Sequence, residues 1–144
     1  MPHSPTDAGG AVASVELRGA RIPWIGWFAH HYWLVVHHQQ QVSTRWEVWQ
    51  RPEPLAICNG HLHCDLLPWR AGVGAGNSWL VQQWLGAEAA ALATRARASL
   101  TEYPWCDQYR YWPGPNSNTY VQWLLGERLR LPWQAIGRGY RSSQ

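Results

Sequence analysis

The chain has 144 residues and a mass of 16.5 kDa, the size of one domain that can bury a core without disulfide or metal staples. Its net charge of +3 rests on twelve arginines and no lysine; they are scattered without a basic run, which argues against a nucleic-acid-binding stripe. Three cysteines, an odd count, argue against a disulfide framework.

The first ten residues, MPHSPTDAGG, lack an apolar run, so residues 1–11 are expected to be a disordered tail and not a signal peptide. A single globular domain is expected over residues 12–140. Residues 12–17 alternate in part and predict a short strand. Residues 26–38 predict the clearest strand, with His31, Trp33, Val35 and His37 on one face and His30, Tyr32, Leu34, Val36 and His38 on the other. Both faces are largely apolar, which predicts a central position in the sheet. The most apolar stretch, residues 22–36, is interrupted by His30 and His31 and is shorter than the ~20 residues of a membrane span. No membrane span is expected, and the default is a soluble, cytoplasmic protein.

Gln39, Gln40 and Gln41 turn the chain into a second strand at 42–50, antiparallel to the first. Residues 51–54 break it, residues 55–67 read as further strand or hairpin, and residues 72–76 read as a flexible loop. Within them, Cys58, His61, His63 and Cys64 of the run CNGHLHC are chemically zinc ligands. All four fall within one short run, whereas structural zinc sites pair two separated clusters. Asn59 and Gly60 read as a tight turn, so the expectation is no metal and no cofactor. The alanine-rich stretch 86–103 predicts a helix stopped by Pro104. A second helix is predicted over 117–125, ending at Gly126, and residues 131–140 read as an extended segment docked on the body. Strands first and helices later give α+β: an antiparallel sheet with two main helices packed against it.

Residues 112–120, WPGPNSNTY, are the most informative stretch. Two prolines and a glycine stiffen the approach, with Trp112 and Gly114 held extended or turned by the prolines that follow them. Asn116 or Ser117 then caps the helix. From Ser117 the apolar residues Tyr120, Val121, Leu124 and Leu125 recur at helical spacing, so Ser117 heads the buried stripe. A hydroxyl at a helix N-terminus turned toward the interior is suited to be a nucleophile; the plainer reading is that it only caps.

WPGPNSNTY, the upstream YPW at 103–105, the AHHYWLVV run at 29–36 and the terminal LPWQAIGRGY together resemble the bacterial domain-of-unknown-function family numbered 3750, over roughly residues 12–140. That resemblance implies no activity. The chain departs from the family's pattern at Gly139, where an acidic residue follows the AIG-plus-basic ending. A more distant resemblance is to circularly permuted papain-like folds of the NlpC and lecithin:retinol-acyltransferase kinds. There a strand histidine precedes a cysteine nucleophile at a helix start. This resemblance implies a permuted papain-like topology with Ser117 in the cysteine's place, His31 as base and Glu47, on the neighbouring strand, as its orienting group. Asn116 or backbone N–H groups would then supply an oxyanion hole.

Three functional classes follow. One is a hydrolase or acyltransferase acting on amide or ester bonds through Ser117, His31, Glu47 and Asn116. The second is a non-catalytic domain binding a small molecule or peptide in a groove lined by Trp33, Trp112, Asn118 and Tyr120. The third is a tryptophan-rich subunit that packs against a protein partner.

Overall fold

A computed structural model describes residues 10–50, 59–74 and 76–141. They form one antiparallel five-stranded sheet with two helices on one face, an α+β architecture. The strands are β1 (Val12–Arg21), β2 (His30–His38), β3 (Ser43–Val48), β4 (Leu62–Cys64) and β5 (Ser78–Leu85), in the spatial order β4-β3-β2-β1-β5. The helices are α1 (Gly86–Glu102) and α2 (Ser117–Leu125). As its two apolar faces require, β2 is central, with Leu34 opposite both Leu17 of β1 and Trp46 of β3.

Period-2 alternation gives the sheet two cores. Tyr32, Leu34 and Val36 join Val15, Leu17, Trp46 and Val48 beneath the helical stripes Ala89, Leu92, Ala96 and Tyr120, Val121, Leu124. On the opposite face Trp33, Val35 and Ala20 are covered by Trp69 and Val73 of the loop before β5. Trp33 Nε1 donates to Trp69 O at 2.9 Å, and Ser78 Oγ ties the same loop down through Arg70 O.

Several expectations change. Residues 26–28 belong to a turn that leads into β2, where Ala29 N–H bonds Ile25 O. Beyond β4, Asp65 ends the strand with a φ of 58° and clamps Arg45 through its own N–H and its carboxylate. β5 was not anticipated: a register shift opposite Leu17 and Arg18 breaks its alternation, and it runs directly into α1. Residues 131–140 are a chain of turns, not an extended segment. Ala135, Arg138 and Tyr140 each bond a carbonyl three residues back, and Gly137 has a φ of 91°.

Residues 1–9 and Cys58 lie outside the described residues. Gly10 and Ala11, assigned to the tail, are held by His38 and Gln39 at the end of β2. Leu62 and Cys64 face the main core while His63 alternates to the other side of β4. Among the described residues, no helix is long and apolar enough to cross a membrane.

Candidate functional site

The approach loop to α2 is fastened at several points. Arg110 N–H bonds Pro115 O at 2.8 Å, and both X-Pro bonds, at Pro113 and Pro115, are cis. Gly114 has a φ of 111°, and a Cβ there would lie 2.9 Å from Thr119 Oγ1 and 3.0 Å from Tyr140 Cβ. Only glycine meets both demands.

The helix start uses its polar residues one by one. Asn116 is the N-cap: its Oδ1 accepts from the N–H groups of Asn118 and Thr119, and its own N–H donates to Thr119 Oγ1 at 3.0 Å, a reciprocal capping box. Its Nδ2 donates to Tyr111 O. Thr119 Oγ1 donates onward to Gly137 O at 2.6 Å. Asn118 bridges three segments. Its Oδ1 accepts from Tyr32 N–H at 3.2 Å, and its Nδ2 donates to His30 O and to Ile136 O.

These bonds have a structural reason. β3 pairs with β2 only from Leu34 onward, and Trp49 N–H turns to His61 O beside β4. The β3-side edge of β2 at residues 30–32 is therefore left without a strand partner, and the Asn118 side-chain amide supplies what a neighbouring peptide would.

Ser117 is the exception. It is buried, at 7% exposure, yet its hydroxyl and its backbone N–H make no hydrogen bond among the described residues. The cap is thus Asn116, and Ser117 occupies the first helical turn with both groups uncommitted.

His31 lies between the two β2 residues that Asn118 holds. Its Nε2 sits 2.7 Å from Glu47 Oε2, and Nδ1 has no partner among the described residues. Its ring stacks on Trp33 and meets Trp49 edge-on. Behind Glu47 stands Arg45, wholly buried. Arg45 Nη2 donates to Glu47 Oε2 at 2.8 Å, and Nε lies 2.8 Å from Oε1 as an ion pair without hydrogen-bond alignment. Arg45 Nη1 donates to Pro68 O and Ala71 O, and the guanidinium lies 3.9 Å above the Trp33 ring. Burial by itself would raise the Glu47 pKa, but the His31 hydrogen bond and the charges of His31 and Arg45 outweigh it and hold the carboxyl below its ordinary value.

Glu47 and His31 are therefore brought together. Ser117 and His31 are not hydrogen-bonded: the His31 ring lies on the Trp33 face, and the buried stripe of α2 lies on the other. Asn116 cannot act as an oxyanion donor while its amide serves the cap and Tyr111. The expected tryptophan-lined groove is also corrected. Trp33 is buried beneath Arg45; Tyr120 is buried with its hydroxyl 2.9 Å from Ser99 Oγ; Asn118 is buried in its bridge. Trp112 is exposed and lines a separate cavity of about 380 Å³ with Trp133 and Ile136. A larger cavity of about 750 Å³ lies beside Arg95, Trp123 and Tyr140. Arg45 escaped the sequence reading, although its position two residues before Glu47 on a strand already placed both on one face.

The family model described as "Protein of unknown function (DUF3750)" matches residues 12–140. The chain belongs to the DUF3750 family. The match spans every strand and helix described above, the Asn116–Thr119 helix start included. No curated protein and no solved structure matches the chain.

Proposed function

We propose that this DUF3750 chain is a hydrolase or acyltransferase of permuted papain-like topology that acts on amide or ester bonds. Ser117 is the nucleophile, His31 the base and Glu47 the group that positions the histidine. One observation carries the reading. In the run from Asn116 to Thr119 the side chain of every residue but Ser117 is committed to a hydrogen bond, and Asn118 fastens this helix start to the peptide groups on either side of His31.

In the reaction, Ser117 Oγ attacks the substrate carbonyl while its proton passes to His31 Nδ1, the nitrogen that Glu47 leaves free. The Ser117 N–H at the positive end of α2 donates to the developing oxyanion. His31 returns the proton to the leaving amine or alcohol as the tetrahedral adduct collapses and the scissile C–N or C–O bond breaks, leaving the acyl group on Ser117 Oγ. Water, or an acyl acceptor, deprotonated by the same nitrogen, then releases the acid or new ester and restores Ser117. The transfer requires the His31 ring, which lies on the Trp33 face, to reach the helix start across the open edge of β2.

The placement of the His31 ring on the Trp33 face favours a second reading, a non-catalytic domain that binds a small molecule or peptide. A fluorophosphonate probe separates the two. Labelling of the wild type, lost in Ser117→Ala and in His31→Ala, supports the enzyme. A folded wild type that stays unlabelled removes it in favour of the binding domain.

A further inference from the structure

Trp24 is wholly exposed, at 100%, and holds a φ of 71°, a conformation in which a bulky side chain is a genuine outlier. Backbone strain persists where the surroundings enforce it and something other than stability selects it. The loop that carries Trp24 is ordered by its own bonds: Ile22 N–H to Ala29 O, and Phe28 and Ala29 N–H to Ile25 O. It presents Trp24 and Trp27 outward, Trp27 being 76% exposed. Its base is joined to the C-terminal turns by the bond from His30 N–H to Gln134 O. Next to Gln134 is the exposed Trp133, which lines the smaller cavity together with the exposed Trp112.

Charge on these segments has one sign. Residues 21–30, 110–115 and 132–141 contain Arg21, Arg110, Arg138 and Arg141 and no Asp or Glu. An apolar patch meant for a protein core would be rich in Leu and Ile, whereas here the protruding groups are indoles, with flat apolar bodies and a polar N–H. That is the chemistry of the lipid headgroup boundary. Segments that carry arginine and no acid of their own match an anionic surface.

We infer that this end of the molecule, led by Trp24 and Trp27 and extended by Trp112 and Trp133, docks peripherally on an anionic lipid membrane. The indoles enter the headgroup region, and the exposed Arg21, Arg110 and Arg141 meet the lipid phosphates from the rim. The docking is interfacial and requires no spanning segment. It is independent of any chemistry at Ser117.

The test is co-sedimentation of the full chain with vesicles of phosphatidylcholine alone and of phosphatidylcholine mixed with phosphatidylglycerol in equal parts. Quenching of tryptophan emission by brominated acyl chains reports insertion. Binding to the mixed vesicles, quenched emission and weak binding to the neutral ones are expected. Trp24→Gly should weaken binding about tenfold while melting no lower than the wild type, because glycine adopts the positive φ freely. Trp24→Gly with Trp27→Ser should abolish binding, and Ser117→Ala should bind as the wild type does. Failure to sediment with either vesicle, equal binding to both, or binding indifferent to Trp24 and Trp27 would overturn the inference. A lipid-free dimer that the double substitution dissolves would overturn it too, and would assign the patch to a second copy of the chain.

Discussion

Ser117 sits one residue past a completed cap, and that offset sets what its removal costs. Deleting a hydroxyl that has no partner is close to neutral, so Ser117→Ala should change stability by less than about 0.5 kcal/mol, whereas Asn116→Ala should cost about 0.5–2 kcal/mol by uncapping α2. Paired urea melts read the difference; equal losses would return Ser117 to the role of cap. Glu47 behaves differently. Glu47→Gln leaves Arg45 buried with its charge unmatched, at a cost of about 3–5 kcal/mol. Because the folded Glu47 pKa lies below the ordinary ~4.3, its contribution is fully present above that value and is lost as pH falls through the folded pKa. The gap in melting temperature between wild type and Glu47→Gln should therefore be present above the ordinary carboxylate range and narrow only as pH falls below it, through the lowered folded pKa. A gap that widened on acidification would contradict the assignment. In the sequence, Glu47 could be placed beside His31 from strand pairing alone, but the choice between Asn116 and Ser117 as cap could not. Both residue types cap equally well, and only the backbone geometry of the loop separates them.

At the scale of elements, α2 is held less by its own nine residues than by what grips its first turn. Gly137 is the tightest point: with a φ of 91°, a Cβ there would run into the Asn116 amide. Gly137→Ala should cost about 2–3 kcal/mol, the strain of the left-handed backbone together with the displaced cap. Thermal melts measure it. An unchanged melting temperature would mean that the C-terminal turns do not brace the helix start. This brace was illegible in the sequence, since the residues it joins are about twenty positions apart and no local pattern relates them. The turns over 131–140 were misread as extended for a related reason: Pro132 and Gly137 set turn geometry, while the apolar residues between them imitate a strand. Strand β2 and helix α1 were legible because their burial follows their own periodicity.

Over the whole molecule, a buried thiol shows how the fold controls reactivity. Cys106 is free and buried, and burial, with help from Asp107, pushes its thiol up to about 11. A Cys58→Ser, Cys64→Ser variant should thus be inert to a thiol reagent at neutral pH and take up one equivalent only on denaturation. Rapid labelling of the native variant would show that this part of the core opens readily. The sequence by itself determined the α+β class, the central histidine strand, the two helices and the identity of the family, because each depends on periodicity, propensity or a contiguous motif. Only the tertiary structure decided which residues meet. It put His31 and Trp33 on the face opposite the helices, buried Trp33 and Tyr120 in the two cores, and gave Asn118 the β3-side edge of β2 that β3 leaves unpaired. It also brought Trp112 and Trp133, far apart in the chain, to one cavity. Such outcomes depend on where β3 leaves β2 and on which backbone groups are then left without partners. Those facts belong to the assembled sheet and to no single stretch of chain.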